Sequence, residues 1–460
     1  MKFFRLTAAV PAAFAMALFP ALAWAGLSDE AEASSSAGST NAVASESLTL
    51  EEAYDLTLRS DQSIRVALEQ IRIANLQPWS ALTRIAPQVT ANGSYTTTNV
   101  RNGSAAAGFG SGASANPDLK RADITLNQPL LDLTVFPVYH QGLLAERVAR
   151  LQRNLAIRNV LFGVAQAYYG ILKQQSIASV DREVVRLTGE QLDAAQARFD
   201  VGEVTMTDVL AARTTLEQAR AALFRAENDL QAARDQLSSI LNMDFHRIIA
   251  VSEPPSEPQK LPDLDAVVLR AREAREDVQV GRLAVEQAKT TRSEVVAEYG
   301  PRLSAQLSEN WADPASVGNR NPYWQAGLAV QLPIFEGGQR EIDLIQAGYQ
   351  INIAKLNLET TQKTAALDVR NAWFMAKTAR AVLATLRVAV ESAEKNYANQ
   401  RERYRAGEAT SLDVLDAVRN LQAARSDLAS QTYDYQVDLL NLEKAIGDFQ
   451  DSRVARVARP

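Results

Sequence analysis

Apolar side chains recur along this chain at two periods, and the two alternate in blocks. Four segments show a period of two, the mark of a strand with unlike faces. Val89, Ala91, Gly93 and Tyr95 alternate with Thr90, Asn92, Ser94 and Thr96, and Ile124 and Leu126 alternate with Asp123, Thr125 and Asn127. Further on, Leu303, Ala305 and Leu307 alternate with Ser304, Gln306 and Ser308. Trp324, Ala326, Leu328, Val330 and Leu332 alternate with Gln325, Gly327, Ala329 and Gln331. Elsewhere the period is helical. No proline occurs between Pro137 and Pro254 or between Pro333 and Pro460, so nothing of that kind interrupts a helix in either span. Residues 138–200 alone would reach roughly 95 Å as one helix. After a break, a return helix carries Leu216, Leu223, Leu230 and Leu237 at intervals of seven, with Ala219, Ala226 and Ala233 beside them. Leu421, Leu428, Tyr435 and Leu442 keep that interval in a second return helix. A strict seven-residue period predicts coiled-coil packing, and alanine in the seam permits the close helix approach of a thin wall.

The blocks are one unit written twice. RFDVGEVTMTDVLAARTTLEQAR begins at Arg198 and RYRAGEATSLDVLDAVRNLQAAR at Arg403, an offset of 205. Val164, Ala167 and Tyr168 match Val369, Ala372 and Trp373 at the same offset, and Pro129-Leu130-Leu131-Asp132 matches Pro333-Ile334-Phe335-Glu336 at 204. Pro87 matches Pro301 at 214, and the first copy's extra residues fall in the Gly/Ala/Ser-rich stretch 101–116, read as a lengthened loop. The first repeat is expected over 48–253, with a helix at 48–86, strands at 88–100 and 120–131, a long helix at 138–200 and a return helix at 204–243. A proline-rich linker, 254–262, leads to the second repeat at 263–448. Its helix is expected at 263–299, its strands at 301–312 and 322–335, its long helix at 339–405 and its return helix at 409–447.

Residues 1–25 have a basic start (Lys2, Arg5), an apolar run and a closing Ala23-Trp24-Ala25, the pattern of a cleaved signal peptide. The Ser/Ala-rich residues 26–47 read as a flexible leader and 449–460 as a tail. The 460 residues include no cysteine and two histidines, with a net charge of −6. Absent cysteine excludes disulfides, thiolate metal sites, a cysteine nucleophile and a lipidated N-terminal cysteine. His140 and His246 have no ligand spacing around them, and an acidic chain is a poor nucleic-acid binder. No catalytic constellation, metal site or cofactor motif stands out.

The alternating segments would fit soluble hairpins with one dry face. Tyr95, Trp311, Tyr323 and Trp324, however, lie near strand ends, where an aromatic girdle at a membrane interface belongs. Four strands cannot close a barrel, and an open edge in lipid leaves backbone groups unsatisfied. If these strands span a membrane, several chains must pool them: two copies would give eight, three would give twelve.

The doubled R-[FY]-x-x-G-E-x-T-x-x-D-V-L, each copy at a hairpin break and each preceded by strands ending in Pro-[LI]-[LF]-[DE], resembles the TolC-like outer-membrane efflux family. The resemblance covers about Leu48 to Asp448. It implies a mainly α fold with membrane β: a homotrimer whose twelve-stranded barrel, four strands per protomer, continues into a twelve-helix periplasmic α-barrel. It implies a location in the outer membrane of a Gram-negative bacterium. The implied function is a passive exit duct for small-molecule efflux or type I protein secretion, not an enzyme. Its partners would be outer-membrane lipid, a periplasmic adaptor, and an inner-membrane pump or ABC transporter. Val201, Gly202, Glu203, Ala406, Gly407 and Glu408 match the tip turns where adaptors dock. Asp413 and Asp416, three apart and so on one helix face, match acids that line the tunnel constriction. Three copies would stack them as carboxylate rings that attract cations and raise one another's pKa. Asp208 matches Asp413, but Ala211 stands where the second acid would be. Tyr404 and Asp208 match a latch between hairpins, while Ala409 replaces an arginine found in better-known members. The competing reading of the same helices is an exported periplasmic coiled-coil spacer or adaptor, which would not need four alternating strands.

Overall fold

The computed structural model describes residues 48–97, 118–243, 251–252, 261–313, 321–450 and 453–454. The expected signal peptide, the leader, the loop at 101–116, His246, and most of the linker and tail lie outside the described residues. In the first repeat the elements are α1 (Leu50–Ser60), α2 (Gln62–Leu82), a 3₁₀ turn (Thr83–Ile85), β1 (Gln88–Thr97), β2 (Asp118–Leu131), α3 (Val135–Asp200) and α4 (Met206–Ile240). The second repeats the order with α5 (Leu264–Ala274), α6 (Glu276–Ala297), β3 (Arg302–Asp313), β4 (Tyr323–Gln331), α7 (Gln339–Arg405) and α8 (Ser411–Ile446).

The opening helix of each repeat, expected as one piece over 48–86 and 263–299, is two. Asp61 leaves the helical region (φ −68°, ψ 130°), ends α1 and caps α2 by accepting from the Ile64 amide at 3.0 Å. Arg275 does the same in the second repeat (φ −57°, ψ 137°) with no capping side chain. Its guanidinium instead ties the bend down, reaching Asp277 at 2.7 Å, Asp368 at 3.1 Å and the Ala445 carbonyl at 3.3 Å. Strand β4 stops at Gln331 rather than 335; Pro333 follows, and it has no amide to give a ladder.

The long helices form because their residues are mostly good helix formers and, past Pro137 in the first turn of α3 where proline is tolerated, no proline intervenes. The 66 residues of α3 extend roughly 100 Å. One stretch of α3 is long and apolar enough to cross a membrane by composition, but more than half of it is buried within the protein. Helix α3 pairs with α4 and α7 with α8, and the two hairpins meet along α3 and α8. Leu216, Ala219, Ala226, Leu230 and Leu237 of the heptad seam are buried, as are Leu421, Tyr435 and Leu442. At the other end of α3, Gly142 lets α2 cross at backbone contact, since a Cβ there would lie 2.5 Å from the Pro78 nitrogen.

The largest core lies midway, where Ala53, Tyr54, Ile157, Leu161, Val164, Tyr168, Tyr169, Leu237 and Phe449 pack together. Two strips of chain stitch it. Leu48 bridges Val251, and the Tyr168 hydroxyl lies 2.9 Å from the Leu48 carbonyl and 2.6 Å from that of Ser252. Phe449, fully buried, meets Tyr54 and Phe162 edge-on at 6.3 and 6.1 Å between ring centres. Buried Arg158 donates to the Phe449 carbonyl at 2.5 Å and to Glu276 at 2.7 Å. Arg453 pairs with Glu51 and Asp55 and covers the Tyr54 ring at 5.2 Å. The residues just past the second repeat thus complete the core of the first.

The strands form one antiparallel sheet in the order β1-β2-β3-β4. Its register sorts the faces. Val89 faces Leu126, which faces Leu307, which faces Ala326; Ala91 and Ile124 follow in the next row. Opposite residues share a face, so this one collects Val89, Ile124, Leu126, Leu303, Leu307, Trp324, Leu328 and Val330. The other face carries Thr90, Asn92, Asp123, Thr125, Gln306, Ser308 and Gln325, with an Asn92–Asp123 hydrogen bond of 2.9 Å. Within the protomer β1 and β4 each have a neighbour on one side only.

Candidate functional site: the double hairpin tip

Each long helix reverses through a turn that glycine makes possible. Gly202 adopts φ +81° and Gly407 φ +79°, the left-handed region that a side chain resists. The Gly202 amide donates to the Phe199 carbonyl at 2.9 Å and the Glu203 amide to the Arg198 carbonyl at 2.8 Å. The second turn repeats this, with Gly407 on Tyr404 at 3.1 Å and Glu408 on Arg403 at 2.8 Å. Each return helix then opens on a threonine and an aspartate. The Thr205 amide and hydroxyl donate to the Asp208 carboxylate at 2.9 and 2.8 Å. The Thr410 amide and hydroxyl donate to that of Asp413 at 2.8 and 2.7 Å. The Asp413 amide returns a bond to the Thr410 hydroxyl at 3.3 Å. These bonds, the threonine hydroxyl's first, hold both carboxyls below their ordinary range.

Asp413 and Asp416 both lie on the exposed face of α8. Asp416 has a cation of its own: Arg419 reaches it at 2.9 Å and also touches the Thr215 hydroxyl at 3.4 Å. The bare acidic pair expected from the sequence is therefore, in one protomer, a capping carboxylate beside an ion-paired one.

Tyr404 and Asp208 make no hydrogen bond to each other within the chain. The Asp208 carboxylate is engaged by Thr205, and the Tyr404 hydroxyl is buried without a hydrogen-bond partner. Tyr404, only 3% exposed, instead carries the Arg198 guanidinium over its ring at 4.3 Å. Arg198 also donates to the Arg405 carbonyl at 3.0 Å and lies 3.8 Å from Glu203. Arg198 stands in the repeated motif, yet nothing in that motif says which ring it covers. Further up, the two hairpins are joined by Gln191 to Ser411 at 3.1 Å, Gln422 to Asp181 at 2.7 Å and Lys173 to Asp434 at 2.9 Å.

At the far end of the molecule the register divides the four aromatics. Tyr95, Trp311 and Trp324 lie on the apolar face at the loop end of the sheet. Tyr323, opposite Asn310, falls on the polar face, because consecutive strand residues point opposite ways. His140 joins α3 to α6 through Thr290 at 3.2 Å, a structural contact. Among the described residues no cluster of acids and histidines could hold a metal ion.

A family profile described as outer membrane efflux protein matches residues 53–243 and 267–448, one span per repeat. The chain is 23% identical over 380 residues to outer membrane protein TolC of Escherichia coli, covering 80% of this chain and 76% of that protein. It is 24% identical over 350 residues to the alkaline protease secretion protein AprF of Pseudomonas aeruginosa, covering 73% and 71%. The CmeC outer membrane channel of Campylobacter jejuni has the same fold, with a TM-score of 0.73 at 17% identity over 89% of each chain.

Proposed function

Since this chain belongs to the outer membrane efflux protein family, we propose that it is an outer-membrane exit duct, passive and gated at its periplasmic tip. It serves small-molecule efflux or type I protein secretion and is a channel, not an enzyme. The observation that carries this reading is the two-faced sheet. An apolar face suits lipid, a polar face suits a watery lumen, and two edges with one neighbour each require other chains. Three protomers pool twelve strands, with β4 of one beside β1 of the next. Tyr95, Trp311 and Trp324 form the aromatic girdle, and Tyr323 faces the lumen. The domain division is the duplication itself, 48–253 and 263–448 either side of a linker at 254–262, behind a signal peptide and leader.

At the tip, Val201, Gly202, Glu203 and Ala406, Gly407, Glu408 receive the hairpins of a periplasmic adaptor, which couples the duct to an inner-membrane pump or ABC transporter. Asp413 and Asp416 line the constriction. Because Arg419 offsets Asp416, most of the cation preference rests on Asp413. Tyr404 and Asp208 hold the closed tip by separate contacts, Asp208 as the cap bound by Thr205 and Tyr404 through its ring between the two hairpins. Cell fractionation tests the location: a heat-modifiable trimer in the outer-membrane fraction is expected, and a soluble periplasmic protein would refute the duct. In planar bilayers Asp413→Asn should lower cation selectivity more than Asp416→Asn. Unchanged selectivity in both would remove the acids from the constriction.

A further inference from the structure

We propose that Arg198 pins the two hairpins of one protomer together at the tip by clamping Tyr404, and that this clamp holds the duct closed. The inference rests on the reading of the tip as a gate. Its ground is a set of contacts that cross from one hairpin to the other. Arg198, in the last turn of α3, lies over the Tyr404 ring in the last turn of α7, 4.3 Å from its centre. The same guanidinium donates to the Arg405 carbonyl at 3.0 Å, and Glu203 of its own turn approaches it at 3.8 Å. Tyr404 is 3% exposed, so its ring meets the cation largely out of water, where such a contact is stronger. Ala409 is uncharged, and the cation over the Tyr404 ring comes from the opposite hairpin.

The duplication supplies an internal comparison. Arg403 occupies the matching place in the second repeat, yet within the protomer it donates to the Glu408 carbonyl of its own turn at 3.4 Å. Both arginines share motif and charge, and only Arg198 crosses. The clamp needs a planar cation, an aromatic face and a carbonyl, all present here, whereas a phenol–carboxylate latch needs Asp208, whose oxygen is held by Thr205. Any motion that parts the second hairpin from the first must break this contact, while contacts within each hairpin survive it.

Single-channel recording of the purified trimer without an adaptor tests the clamp. Arg198→Gln and Tyr404→Leu should each raise the open fraction by about threefold or more, with the conductance of the open state unchanged. The double variant should add little to either one. Arg403→Gln removes the same charge at the same height and should stay near the parent channel. Tyr404→Phe keeps the ring and should rise less than Tyr404→Leu. Equal rises would give the hold to the hydroxyl and overturn the clamp, as would an Arg198→Gln channel that opens no more often than the parent. A parent chain forming no channel at all would instead sink the duct and the clamp with it. Should Arg198→Gln not assemble, Tyr404→Leu carries the same expectation and the same refutation.

Discussion

Glu443, on α8, shows what a single side chain can cost in a tube made of helices. Burial, and then the neighbouring Asp448, raises its carboxyl above the ordinary value of 4.5. The phenols of Tyr54 and Tyr169 are raised too, by burial first, then by an adjacent tyrosine and by Glu443. The folded chain therefore prefers this acid neutral. That contribution is complete below the ordinary carboxyl value and is lost as pH rises through the higher folded one. Glu443→Gln is expected to melt higher than the parent at about pH 7 and to match it at about pH 4, measured by circular dichroism. Asp413 has the opposite sign: its cap is intact above the ordinary value of 3.8 and weakens as pH falls through a lower one. The sequence located Asp413 and Asp416 on one face because three residues is nearly one helical turn. It did not pair Arg198 with Tyr404, 206 positions apart, since no local period reports which ring a cation covers across two hairpins.

At the scale of elements, the heptads and the missing prolines were enough to draw α3, α4, α7 and α8. The bends at Asp61 and Arg275 were not drawn. Asp61 had a readable signal, an N-capping aspartate, but Arg275 is no capping residue and bends only through partners on α6, α7 and α8. The two bends stand 214 apart, the offset that also relates Pro87 to Pro301, so the break is part of the duplicated unit. The face to which each aromatic belongs follows from alternation: Tyr323 shares a strand end with Trp324 but lies on the opposite face. Helix contact is equally sensitive to small groups. Gly142→Ala would drive a methyl to within 2.5–2.9 Å of backbone atoms of Gln77 and Pro78, which cannot rotate away. The helices must part instead, at an expected loss of about 1–3 kcal/mol, read as an earlier urea midpoint. Gly202→Ala and Gly407→Ala act on the turn rather than the packing. Each should cost about 1 kcal/mol through the left-handed backbone, visible as faster proteolysis at the tip.

For the whole molecule, the sheet and the midway core make opposite demands. The sheet is unfinished without other chains, while the core is finished only by the protein's own last described residues. Phe449→Ala empties a fully buried site between two rings and is expected to cost about 3–5 kcal/mol per protomer, measured as a fall in the unfolding midpoint of the purified protein. The clasp has a bearing on how the protein is made. Phe449 is polymerised 395 positions after Tyr54, its ring partner, so every helix of the first repeat exists long before its core can shut. A growing chain usually folds its early portion first, but here the duplication does not yield two independent halves. The nascent first repeat must wait, unsealed, for the second to be translated in full. A chain cut short of Phe449 is therefore expected to leave this core open and to be digested faster than the full chain, read by limited proteolysis.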